Sequence, residues 1–337
     1  LMAWEENSHI CLHMQLIAIL SRIEVVMGLA AMGLALTACN SDETVEVAKG
    51  NAIGFKTFVN NSTRAANDVT TDNLDAFKVW GLMNKGDQTG TPFVAKEVTK
   101  ANGAWSYAPP VYWEKGYAYS FVALAPNDAY TFTAPTAINN WGSLTFENGT
   151  GETDLIYATH KQATVTGDGC PAPVNLTFNH MLSRVRFQFE NGMADGSVLT
   201  VSDVKISDAY TSGTATLAEQ LADISWNPGQ ATGTLEFGNA AEMEKDAKEK
   251  TAHKYMIPAI KTYKLSFTVT RKHHGITDVY NHNVNLQELT FEPGKSYQLT
   301  AKFTAENIDP AGELCPIEFT ATVGNWGDWT DNPFNLK

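Results

Sequence analysis

Basic charge is scarce in this chain. Lys and Arg number 24 against 37 Asp and Glu, giving a formal net charge of −13 and a pI near 5.0. A nucleic-acid binder needs a cationic stripe to displace counterions, and none is visible, so that class is excluded. Catalytic motifs are missing as well. The chain holds no Gly-x-Ser-x-Gly elbow, no phosphate-binding loop and no Rossmann fingerprint, as befits a sequence without βαβ periodicity. Cysteine is sparse: Cys11, Cys39, Cys170 and Cys315 are the only four, and none sits in a context that would activate it as a nucleophile. Carboxylate pairs for glycoside hydrolysis are invisible to spacing because the two residues are often distant in the chain. An enzymatic reading therefore has no positive support, and neither a catalytic residue nor a cofactor is expected. Long apolar runs are short too. The only one is Val25 to Ala38, too brief to serve as a stable bilayer span. Hydrophobic residues still make up 43%, enough to build packed cores and against wholesale disorder.

That apolar run carries the clearest signal. Arg22 precedes it, and it ends Leu36-Thr37-Ala38-Cys39, which matches the bacterial lipobox: an aliphatic residue, two small ones and a cysteine. Small residues fit the signal peptidase, and the Cys39 thiol takes the diacylglycerol that becomes the anchor. Polar Asn40-Ser41-Asp42-Glu43 follows at once, resembling the surface-export signal of lipoproteins in Gram-negative anaerobes. Residues 1–21 begin without Met and carry Glu5 and Glu6 where a signal should be basic. They read as an over-extended start, with initiation at Met14 or later. Residues 1–38 are thus a signal region, 39–50 a polar tether, and the product an exported, outer-membrane lipoprotein displayed at the cell surface. Export makes a Cys170–Cys315 disulfide chemically possible, with two free thiols as the alternative.

The remainder reads as strands separated by turn clusters. Residues 53–59, with Ile53 and Phe55 apolar, run into a polar stretch at 60–68. Further strands are expected at 77–82, 117–124, 154–158, 199–206, 232–237, 255–257, 263–270, 279–284, 296–303 and 317–323. In 183–189, Val185, Phe187 and Phe189 alternate with Arg184, Arg186 and Gln188, the pattern of a half-buried antiparallel strand with its polar side chains outward. Only 240–250 looks helical, as a short surface turn. The Gly- and Pro-rich stretch Gly167 to Pro173 is the linker candidate. The expectation is an all-β protein of two sandwiches in series, 51–172 and 173–337.

Two constellations have competing readings. His273 and His274, near Asp278 and His282, would need three or four converging ligands to hold a metal. A hairpin tip puts adjacent histidines on opposite faces, so a turn is the reading and no metal is expected. His180, opening an apolar strand, is a satisfied structural histidine. Trp105, Tyr107, Tyr112, Trp113, Tyr117 and Tyr119 would suit either a sugar-stacking platform or a β-sandwich core.

Several segments together resemble the fimbrillins, the subunits of type V pili of Gram-negative anaerobes. They are the lipobox, the 53–58 strand followed by Thr63-Arg64-Ala65, 77–82, Asp154-Leu155-Ile156-Tyr157-Ala158, and 176–189 with its Phe178-Asn179-His180. Tyr255-Met256-Ile257-Pro258, Pro293-Gly294-Lys295-Ser296-Tyr297 and 317–326 complete the set. The order is that of the family and spans nearly all the mature chain. The resemblance implies two transthyretin-like β-sandwich domains and a lipid-anchored precursor that assembles by strand exchange. The exchanged strand would hold Ile53, Phe55 and Phe58, and a trypsin-like cut would fall after Arg64. A donor strand would hold Ile317, Phe319 and Val323, although this segment is equally suited to be the last strand of its own domain. Implied partners are other pilus subunits, the outer membrane through the lipid, and host or bacterial surface ligands for a tip role. A surface glycan-binding lipoprotein is the alternative.

Overall fold

The computed structural model describes residues 52–60, 68–166, 171–312, 316–326 and 329, and the backbone alone of 333–334. The strands of the first half are β1 (Phe55–Val59), β2 (Ala76–Lys85), β3 (Gln88–Ala101), β4 (Ala104–Ser106), β5 (Ala118–Ala125), β6 (Tyr130–Thr133), β7 (Ser143–Glu147) and β8 (Ile156–Gln162). Then come β9 (Val174–His180), β10 (Ser183–Asn191), β11 (Val198–Tyr210), β12 (Ser212–Thr216), β13 (Ser225–Pro228), β14 (Thr232–Gly238), β15 (Lys248–Lys250) and β16 (Lys254–Met256). The last are β17 (Ile260–Lys261), β18 (Lys264–His273), β19 (Ile276–Asn285), β20 (Leu289–Thr290), β21 (Lys295–Phe303), β22 (Thr320–Asn325) and β23 (Pro333–Phe334). The only helical element among the described residues is one 3-10 turn, Leu221–Asp223. The protein is all-β.

The first sheet has seven strands in the order β1-β9-β8-β5-β2-β3-β4. Alternation explains its outer members: in β9, Val174, Leu176 and Phe178 are buried while Asn175 and Thr177 are exposed, the signature of one covered face. The central β5 differs, being buried continuously from Tyr119 to Ala125, because both of its faces are covered. Tyr119, Phe121 and Ala123 face the first core, and Val122 and Leu124 face a second. Across the first core, Phe55 of β1 touches Phe93 of β3 and Tyr107 beyond β4, so the sheet curls until its ends meet. Gly81 in β2 permits this closure, since a Cβ there would lie 3.0 Å from the Phe93 ring and 3.2 Å from that of Phe121.

Two further sheets, β15-β10-β21-β22-β23 and β14-β11-β18-β19, form a sandwich. Its core includes Phe187 and Phe189 from one sheet and Leu199, Phe237 and Phe267 from the other. A sheet of order β13-β12-β7-β6 covers the outer face of the first sheet. Between them lie Trp80, Leu124, Leu144, Phe146, Tyr157 and Trp326.

Four expectations are revised. The stretch 240–250 is not helical: Met243 is fully buried, exchanges backbone hydrogen bonds with Leu199, and leads into β15 on the edge of β10. Tertiary pairing there overrides helix propensity. Strand β10 is not a half-exposed antiparallel strand; it runs parallel to β21 and antiparallel to β15 and β16, and Arg184 and Gln188 on its polar face are buried. His273 and His274 do not point apart: their rings stack at 4.0 Å, because His274 takes a left-handed conformation (φ 48°) at the turn where alternation ends. Finally, the stretch ending at Pro173 does not separate the sheets. β9 begins at Val174 and lies between β1 and β8, and the apolar run 176–189 changes sheets at the fully buried Met181 and Leu182.

Candidate functional site

The first strand is the last stave of its sheet. Among the described residues, β1 pairs only with β9, in parallel register from Phe55↔Val174 to Val59↔Phe178. Ile53, Phe55 and Val59 face inward at 1%, 0% and 0% exposure. Phe55 meets the rings of Phe77, Phe93, Tyr107 and Phe121 edge-on at 5.6–6.2 Å, the arrangement aromatic quadrupoles favour. Phe58 points the other way and is 53% exposed. Ahead of the strand, the Ile53 amide donates to the Val111 carbonyl at 2.8 Å and the Tyr107 hydroxyl donates to the Ile53 carbonyl at 2.6 Å. Burial pushes the Tyr107 phenol up to about 12, so that donor stays protonated in any physiological medium. Burying three such apolar side chains stabilises the strand by roughly 1.5–3 kcal/mol each. Without β1, an apolar slot and the free backbone edge of β9 would stand open.

The C-terminal segment lies in the other sandwich. Ile317 is 8% exposed and Phe319 packs edge-on against Phe187 and Phe189. Both precede β22, which holds the half-buried Val323 and runs antiparallel to β21 from Lys295↔Asn325 to Thr300↔Thr320. All three therefore dock within their own molecule.

A buried polar cluster links these regions. Arg184 on β10 and Asp68, the first described residue after the 61–67 stretch, are both fully buried and form an ion pair. The guanidinium also donates to the Trp326 carbonyl at 2.5 Å and to the Ser296 hydroxyl at 3.2 Å. The Tyr255 hydroxyl donates to the second Asp68 oxygen at 2.7 Å. The Trp326 ring stacks on His180 at 4.1 Å and on Tyr255 at 5.7 Å. The Trp329 ring lies over Arg184 and Arg186, at 4.3 and 3.8 Å. His180 Nδ1 pairs with Asp154 at 2.9 Å, and Asp154 also accepts the Val69 amide at 2.8 Å. Burial pulls Arg184 below its usual range, opposed by Asp68. Burial raises the Tyr255 phenol, aided by the Asp154 and Asp68 carboxylates, and lowers His253 beside Asp68. Alternation assigned Arg184 a face but gave no sign of what covers it, so nothing in the sequence marked this cluster.

Other candidate residues fall as follows. Cys39, Arg64, Cys170 and Cys315 lie outside the described residues. Trp105 and Trp113 are 3% and 5% exposed within the first core, alongside Tyr107 and Tyr119, so they offer no sugar-stacking platform. His282 is buried against the Phe267 ring. Among the described residues, no group of three His, Cys, Asp or Glu side chains is placed to hold a metal.

The model of the fimbrillin-like family matches residues 63–326. This chain belongs to the fimbrillin-like family. Membership agrees with the resemblance carried by the ordered sequence motifs. A fimbrial protein from Bacteroides vulgatus shares the fold with a TM-score of 0.61 at 14% identity, over 82% of this chain and 100% of that one. Weaker structural likenesses include a candidate cell-adhesion protein from Bacteroides uniformis (TM-score 0.44, 20% identity, 82% and 100% covered). Another is the fimbrial anchor protein Mfa2 from Porphyromonas gingivalis (TM-score 0.36, 13% identity, 82% and 98% covered). No curated relative matches the chain.

Proposed function

We propose that this fimbrillin-like protein is a structural or adhesive subunit of a cell-surface pilus. It is exported as a lipoprotein, anchored in the outer membrane through Cys39, and joined to other subunits by β-strand exchange after a cut at Arg64. It acts without catalysis or a cofactor. The observation that carries this reading is β1: an edge strand, held by one ladder and an aromatic socket, directly before the stretch that contains Arg64. Removing such a strand leaves unpaired backbone groups beside an apolar slot, which an extended segment of a neighbour can fill by β-augmentation. The candidate donor is the C-terminal segment through Ile317, Phe319 and Val323.

Limited trypsin digestion of the folded mature protein, read by intact mass and size-exclusion chromatography, tests this. The expected result is one early cut after Arg64, loss of the β1 peptide and growth of oligomers. A protein cut at Arg64 that stays monomeric, alone or with partner subunits, would rule out strand exchange.

A further inference from the structure

The Asp68–Arg184 pair joins two segments that assembly would treat separately: the chain just after 61–67, and the C-terminal segment. We propose that it is a latch, in which a seated Asp68 keeps Arg184 in the position that docks the C-terminal segment. Arg184 reaches that segment three ways, through the Trp326 carbonyl at 2.5 Å and through the Trp326 and Trp329 rings at 5.2 and 4.3 Å. Asp68 reaches it twice, since Arg184 and Tyr255, which both contact Asp68, also contact Trp326. The nearby carboxylate of Asp154 holds His180 and the Val69 amide and adds to the negative field at Arg184.

The physical basis is the cost of breaking a buried ion pair by removing one partner. With the Asp68 carboxylate gone, the fully buried guanidinium loses that half of its pairing and is drawn toward water, taking its donor away from Trp326. The two sides of the 61–67 stretch are tied by the Val59 amide, which donates to the Thr71 hydroxyl at 3.0 Å, and by Val69, which packs against the first core; their other contacts differ. Upstream, β1 rests on β9 and the first core; downstream, Asp68 and Val69 are fixed by Arg184, Tyr255 and Asp154. Loss of β1 therefore leaves Asp68 with its partners but close to a free chain end, where its effective concentration at Arg184 falls. This second step rests on the strand-exchange reading: the cut that frees β1 would also loosen the candidate donor.

Hydrogen exchange read by mass spectrometry on the full mature chain tests the latch. In Asp68→Asn, amides of 320–325 are expected to exchange at least about tenfold faster, while those of 118–125 keep their wild-type rates. The double variant Asp68→Asn/Arg184→Met, which removes both charges of the pair, guards against general unfolding; its 320–325 amides should remain fast. Wild-type protection at 320–325 in either variant would overturn the latch. Wild-type protein cut after Arg64 should show the same loosening, and unchanged 320–325 amides in that cut protein would overturn the relay. Resistance at Arg64 would instead sink the strand-exchange reading, leaving the latch to be decided by the two variants.

Discussion

Phe55 and Phe58 lie three residues apart in one strand, yet they differ completely in what they hold. Phe55 fills a socket of four aromatic rings, whereas Phe58 is half in water. Phe55→Ala should cost about 3–5 kcal/mol in urea unfolding, as other buried phenylalanines do, while Phe58→Ala should stay within about 0.5 kcal/mol. Protonation acts at the same scale. Burial lowers the pKa of both His160 and His282 in the folded protein. Unfolded chains then bind more protons just below the ordinary value of 6.5, so this stability is complete above that pH and is lost as pH falls toward the folded-state values. Urea midpoints should therefore drop between about pH 7.5 and about pH 5.5, and His160→Gln/His282→Gln should flatten that drop.

At the scale of elements, β1 and β9 show why a strand can be both well packed and removable. Among the described residues the ladder of β1 has one side only, so losing β1 breaks one set of ladder hydrogen bonds rather than two. Its specificity resides in the inward row Ile53, Phe55 and Val59. A synthetic peptide covering residues 52–60, in excess over cleaved protein, should occupy the vacated slot and suppress oligomers on size-exclusion chromatography. The same peptide carrying Phe55→Ala should not. Suppression by both peptides equally would show that the slot does not read the aromatic anchor.

For the whole molecule, charge governs how readily copies meet. The full chain's formal net charge is −13, and it stays strongly acidic without its first 64 residues, which sets like-charged subunits against each other. Raising ionic strength from about 0.02 to about 0.2 M shrinks the screening length several-fold. Oligomer growth after cleavage should therefore accelerate over that range, as followed by light scattering. A slower rate at higher salt would mean that specific ion pairs at the joint outweigh the net repulsion. The cores themselves are shared across the chain: β7 from the first half pairs with β12 from the second, which couples the stability of the two halves.

The all-β class and most strand positions were legible in the sequence because alternation has a fixed period and turn residues punctuate it. The apolar alternation of Ile53 and Phe55 and the family resemblance were legible for the same local reasons. His180 was read only in part: it ends β9 rather than opening a strand, and its Nδ1 pairs with Asp154 while its Nε2 is buried without a partner among the described residues. Sheet membership was not. The run 176–189 divides between two sheets at Met181 and Leu182, and 240–250 trades helical composition for pairing near β10. Arg184 is the sharpest case. Period two decides which face of β10 a side chain leaves from, but only the arrival of Asp68, Tyr255 and Trp326 from remote parts of the chain makes that face an interior. Local chemistry determined the strands; long-range packing alone decided which of their polar faces would be buried, because burial depends on neighbours the sequence does not place.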